Sequence, residues 1–174
     1  MEKNTKWTID AAHSEISFKV KHMMISTVTG HFDVFEGTAK TNGEDFTNAD
    51  IDFKANVESI NTKNKDRDAH LKSDDFFNAA QYPEIKFVSK SFDGDKMVGD
   101  LTIRDVTKEV ALDADFNGIA VDPYGQTKAG FEMTGQVNRK DFNLTWSAVT
   151  EAGSVVVSDK VRLVVDVQFI KEEA

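Results

Sequence analysis

The sequence predicts an all-β protein: an antiparallel sheet of about eight strands, closed into a barrel, with short helical connections. Three observations carry this expectation. Apolar and polar residues alternate with a period of two along most of the chain, the pattern of strands with one dry face. No crossover-length helical pattern separates the alternating segments, so the neighbours are antiparallel. Phenylalanine dominates the aromatic content, 13 residues against 2 Tyr and 2 Trp, and its side chain has no polar handle, so the interior is either a greasy core or a greasy cavity wall. A two-sheet sandwich would satisfy the alternation too. Closure is preferred because it leaves no edge strand, and a barrel of this size either fills with side chains or holds one small ligand.

Ile16, Phe18 and Val20 interleave with Ser17, Lys19 and Lys21 in the first strand. Met23 to Val28, closed by Gly30, predicts a short helical turn, and Phe32 to Ala39 the second strand. In the third, Ile51, Phe53, Ala55 and Val57 alternate with Asp50, Asp52, Lys54 and Asn56. Asn61 to Tyr82 is a long polar connection with a helical turn or two, ending in Phe76-Phe77 before Pro83; loops of this length are usually functional. The period of two returns in Ile85 and Phe87, in Leu101 and Ile103, and in Val110, Leu112, Ala114 and Phe116. It continues through Ala129, Phe131, Met133 and Val137. After the short connection Arg139 to Leu144 it ends in Val161, Leu163, Val165, Val167 and Phe169.

The 174 residues, 40% hydrophobic and with only two prolines, suit one domain spanning 1–174. A net charge of −9 and a pI near 4.9 argue against nucleic acid as a partner, and anionic bilayers would repel the chain at long range. Without cysteine there is neither disulfide nor thiolate chemistry. No stretch approaches the ~20 apolar residues of a membrane span, so no integral membrane contact is expected. Met1 to Lys6 is polar, so the chain as written reads as cytoplasmic; a leader removed beforehand would make it periplasmic.

His13, His22 and His31 are nine residues apart, which is not a metal-ligand spacing, so no metal site is expected. Asp66-Arg67-Asp68-Ala69-His70 could serve general acid–base chemistry on a hydrophobic substrate, although a loop pinned by its own ion pairs explains it as well. No Gly-x-Ser-x-Gly elbow or phosphate-binding glycine loop occurs. If the interior is a cavity, its wall candidates are Phe18, Val20, Phe32, Ile51, Phe53, Phe87, Leu101, Ile103, Leu112, Phe116, Phe131 and Met133, with Phe76, Phe77 and Phe142 from the connections. His22, Arg67, His70 and Arg139 are the polar candidates for its mouth.

Several spaced stretches resemble the YceI-like family of bacterial polyisoprenoid-binding proteins. They are Trp7 to Ser14 leading into Ile16 to Met24, Val28 to Phe32, Arg67 to Ser73 with Asp75-Phe76-Phe77, Tyr82 to Phe87, Gly99 to Ile103 with Val106-Thr107-Lys108, and Asn138 to Phe142. Two positions depart from the pattern: Asp105 stands where the family usually has glycine, and Glu109 where proline is common. Aspartate tolerates a left-handed turn, so the turn is expected to persist. The resemblance implies an extended lipocalin-like barrel that sequesters or carries an isoprenoid of quinone or prenyl-phosphate type, tail inside and head at the mouth. It also implies a homodimer, and neither a catalytic residue nor a required cofactor.

Overall fold

The computed structural model describes residues 3–146 and 157–172. Among the described residues, eleven strands form one antiparallel sheet: β1 (Thr5–Ile9), β2 (Glu15–His22), β3 (Ser26–Phe32), β4 (Phe35–Asn42), β5 (Asp45–Asn56), β6 (Ile60–Asn61), β7 (Glu84–Phe92), β8 (Lys96–Ile103), β9 (Val106–Val121), β10 (Thr127–Asn138) and β11 (Val157–Lys171). The sheet closes through β1, where Trp7 pairs with Ala39 of β4 on one side and Lys171 of β11 on the other.

Eleven strands make eight staves because three staves are interrupted. β1 and β2 lie end to end along β11; β4 and β3 pair with them in turn; β5 and β6 pair with β4 and β3. Short polar side chains cause two of the breaks by offering the backbone a local alternative to the ladder. The Asp10 carboxylate accepts the Ala12 N–H (3.2 Å) at the start of a 3-10 turn over Ala11–His13, and Asn56 accepts the Glu58 N–H (2.9 Å) before a second over Val57–Ser59. The ring of eight agrees with the eight alternating segments in the sequence.

Three local expectations need correction. Met23 to Val28 is not helical: Met23 and Met24 sit at φ 50° and 59° in a tight hairpin turn closed by the Ile25 N–H donating to the His22 carbonyl at 3.1 Å, and Ser26 to Val28 belong to β3. The stretch Phe32 to Ala39 is not one strand but the junction of β3 and β4. In the β8–β9 turn the left-handed residue is Arg104 (φ 54°) rather than Asp105.

The one helix among the described residues, α1 (Lys65–Lys72), falls inside the long connection. Asn64 caps it by accepting the Arg67 N–H (3.0 Å), Asp66 and Asp68 lie in the first turn, and Lys72 lies in the last, charges that suit the helix dipole.

The two ends of the barrel differ. At one, Trp7, Phe46, Phe92, Phe131 and Phe169 form an aromatic plug, with Phe46 within 4.9 Å of Trp7 and 5.0 Å of Phe131 between ring centroids. The Trp7 indole N–H donates to the Thr41 hydroxyl at 2.8 Å, so its one polar atom is satisfied in full burial. At the other end lie α1, the 73–82 segment and a 3-10 turn over Arg139–Phe142.

Candidate functional site

Between the aromatic plug and the helical end, the barrel encloses a cavity of about 190 Å³. Of the thirty described residues around it, only Ser17 and Arg139 have polar side chains. The alternation explains this directly: in a strand every second side chain points to one face, so each stave contributes an apolar row to the interior and a polar row to water. The wall also has two chemical halves. Four consecutive staves each present one phenylalanine, Phe18, Phe32, Phe53 and Phe87; the other four present aliphatic groups with Met97 and Met133, apart from Phe169 at the floor.

Close backbone approach makes room for the large rings. The Phe18 ring lies over Gly30, its cross-strand partner, so that a Cβ at Gly30 would fall 2.2 Å from the ring tip. Gly99 is covered in the same way by the Phe87 ring. Only glycine leaves the interior face open enough for a neighbouring ring to lie flat along it.

The helical end forms the lid. Leu71 of α1, Phe76, Phe77, Phe142 and Leu144 turn toward the cavity, and Phe77 meets Phe32 edge-on at 6.0 Å. Two arginines hold this lid by donating to backbone carbonyls. Arg139, 3% exposed, donates to the carbonyls of Leu144 (2.6 Å), Trp146 (2.7 Å), Ser158 (3.0 Å) and Val157 (3.4 Å). Burial pushes its guanidinium below the usual arginine value, and Asp159, 3.6 Å away, pulls in the opposite direction. Arg104 donates through one nitrogen to the carbonyls of Asp74, Phe76 and Asn143, and its guanidinium lies 5.5 Å over the Tyr82 ring.

The structure therefore brings together on one wall Phe18, Val20, Phe32, Ile51, Phe53, Phe76, Phe77, Phe87, Leu101, Ile103, Leu112, Met133 and Phe142. Phe131 and Phe116 are not among them. Both face inward but stand too near the closed end: Phe131 is packed into the plug, and Phe116, 41% exposed, caps it at 4.9 Å from Phe131. Alternation reports which way a side chain faces and not its height along the barrel axis.

The polar candidates separate similarly. His22 lies exposed at the end of β2, outside the cavity. Arg67 and Asp68 clamp Thr62: Arg67 donates to its hydroxyl (2.8 Å) and carbonyl (2.7 Å), and Asp68 accepts from its N–H (2.9 Å). His70 pairs with Asp75 through Nε2 at 2.9 Å and stands edge-on to Phe76 and Trp146, behind the lid. Arg139 alone reaches the cavity, with its donors already committed to carbonyls. Ser17 is likewise engaged, donating to the Val164 carbonyl at 3.1 Å.

The sequence candidates take in Val20, Ile51, Leu101, Ile103, Leu112 and Met133 but leave out much of the aliphatic half. Val161, Leu163, Val165 and Val167 of β11, Val137 of β10 and Val110 of β9 all line the cavity. Their alternation is as plain in the sequence as that of the phenylalanines. Arg104 carried no such signal, because its role depends on three carbonyls from distant segments.

A closed antiparallel barrel around an apolar chamber, with its polar groups turned into its own backbone, defines a binding-protein fold of the lipocalin-like kind. The YceI-like domain model matches residues 7–169, and the chain belongs to that family. A UPF0312 protein of Staphylococcus aureus is 38% identical over 166 residues, covering 95% of this chain and 97% of the relative. The YceI protein of Campylobacter jejuni superposes with a TM-score of 0.74 at 34% identity, over 88% of this chain and 90% of that one. A polyisoprenoid binding domain from Saccharophagus degradans shares the fold, with a TM-score of 0.72 at 16% identity, over 95% of this chain and 98% of that one.

Proposed function

We propose that this protein binds an elongated amphiphilic lipid of isoprenoid type in the barrel and sequesters or carries it without chemical change. The observation that carries this reading is the wall itself: thirty residues with two polar side chains, both hydrogen-bonded to backbone carbonyls. Such a surface offers a ligand hydrophobic burial and little else. At about 0.8 kcal/mol per buried methylene-sized group, each five-carbon isoprene unit contributes on the order of 4 kcal/mol before ordering costs. The phenylalanine half supplies flat faces for a branched, unsaturated chain. The Saccharophagus degradans domain of the same fold, described as polyisoprenoid binding, points the same way.

The alternative, an enzyme working through Asp66 to His70, finds no support in the geometry. Arg67 and Asp68 are engaged with Thr62, His70 with Asp75, and none of the three side chains lines the cavity. The homodimer carried over from the family resemblance should appear in light scattering as twice the 19.4 kDa chain mass.

The test is a titration of delipidated protein with prenyl alcohols of increasing length, followed by thermal unfolding. Affinity should rise with each added unit and level off once the chain outgrows the chamber, and bound ligand at about a hundredfold its Kd should stabilise the fold by about 2.7 kcal/mol. Equal, weak affinity for every length would overturn the reading.

A further inference from the structure

The chain carries an excess of acidic groups, 30 Asp and Glu against 21 Lys and Arg, yet one face beside the lid is basic. On the outer side of β2 and β11, Lys19 and Arg162 stand directly opposite each other across the ladder, and Lys21 and Lys160 lie nearer the strand ends. Like charges opposed across a sheet repel, so this arrangement works against the fold. Among the described residues Lys19, Lys160 and Arg162 have no ion-pair partner, and Lys21 donates only to the Thr27 hydroxyl at 3.0 Å. On the same two strands Glu15 pairs with His31 at 2.6 Å and Asp159 with Lys140 at 3.4 Å and Arg139 at 3.6 Å, while Asp166 stands opposite Glu15, farther along the ladder from the lid.

The hairpin above this face ends in two exposed apolar side chains, Met24 at 63% and Ile25 at 79% exposure. Both central turn residues, Met23 and Met24, have positive φ, where Asn and Gly are the comfortable residues. Methionine there gives up local stability and places flexible apolar atoms in water. The same two staves line the cavity on their inner side with Phe18, Val20, Val161 and Leu163.

From the unpaired cations and the apolar tip together, we propose that this face docks on an anionic lipid bilayer, with Met24 and Ile25 entering the headgroup boundary and the four cations meeting lipid phosphates. Interfacial binding combines these two contributions, buried apolar area and attraction to anionic headgroups. The acidic remainder of the surface repels the bilayer, which orients the molecule so that only the basic face and the lid end approach. Docking there sets the lid against the phase in which an isoprenoid dissolves. To that extent the proposal rests on the cavity reading; the docking itself does not require a ligand.

Co-sedimentation of the full chain with vesicles tests it, using phosphatidylcholine and phosphatidylglycerol in equal parts against phosphatidylcholine alone. The protein should pellet with the mixed vesicles and release as salt is added. Lys19→Gln with Arg162→Gln should lower partitioning about 25-fold, at about fivefold per cation, with the melting temperature unchanged or higher because the opposed charges are gone. Ile25→Ser should weaken pelleting at low salt without changing how steeply binding falls with added salt. Equal pelleting with both vesicle types, an unaffected double variant, or no pelleting at all would overturn the proposal. Tight retention of soluble polyphosphate that mixed vesicles fail to compete away would overturn it too, in favour of a soluble anion. The vesicles contain no isoprenoid, so failure here leaves the prenyl-alcohol titration to judge the cavity separately.

Discussion

Replacing Arg139 by methionine separates its two conceivable roles, lid support and ligand head-group contact. Methionine keeps an unbranched apolar stem and removes the fork. Three carbonyls, at 2.6, 2.7 and 3.0 Å, lose a charged donor, and a fourth at 3.4 Å loses a weaker one. Hydrogen bonds to charged groups are worth about 1.5–3 kcal/mol each, a gross loss of roughly 4–9 kcal/mol over the three short ones. Removing a buried cation returns several kcal/mol of desolvation, and loop carbonyls can turn toward water. The net expectation is a destabilisation of about 2–4 kcal/mol, read as a lower urea midpoint at unchanged slope. Arg139→Lys should recover only part of it, because an ammonium lacks the planar fork that spans segments 144–146 and 157–158. Stability within about 0.5 kcal/mol of wild type, combined with lost affinity for a prenyl phosphate, would refute the lid-support role.

Two further perturbations address the cavity and the closed end. Gly30→Ala sets a Cβ 2.2 Å from the Phe18 ring; contact needs about 3.5 Å, and the nearest atoms all belong to that ring, so the ring should move more than ~1 Å and shorten the longest prenyl alcohol accepted. An unchanged length profile would contradict the wall assignment. At the closed end, burial opposes the Asp10 carboxylate, but hydrogen bonds from Lys128 (2.8 Å) and His13 (2.7 Å) prevail and hold it below the ordinary carboxylate value. The unfolded chain therefore binds the extra proton first, and the stabilisation present at neutral pH is lost as pH falls through the folded value. Lys128, raised chiefly by its bond to Asp10, keeps its contribution until pH rises through its own folded value. Urea midpoints measured from pH 7 to about pH 3 should fall less steeply in Asp10→Asn than in wild type; parallel curves would show that the pair does not matter.

The staves are legible in the sequence because burial on one face forces a period of two, as in Val161, Leu163, Val165 and Val167. β1 is less visible, since Thr5 to Ile9 is too short to establish the pattern. The Met23–Met24 turn escapes a sequence reading because its residues are not those that usually mark positive φ. The strand-face wall candidates follow from facing alone, which is why Phe116 and Phe131 fall in with the rest. The mouth is the least accessible part: a sequence shows that Arg139 is cationic but not that four carbonyls will converge on it.

The central claim is that the chamber holds an isoprenoid-type lipid. Native mass spectrometry of gently purified protein, followed by solvent extraction and analysis of the released lipid, tests it most directly. A loaded barrel gives a mass excess of a few hundred daltons that disappears on extraction, and an extract containing a polyprenyl chain. A protein of bare chain mass that also refuses added prenyl alcohols would contradict it.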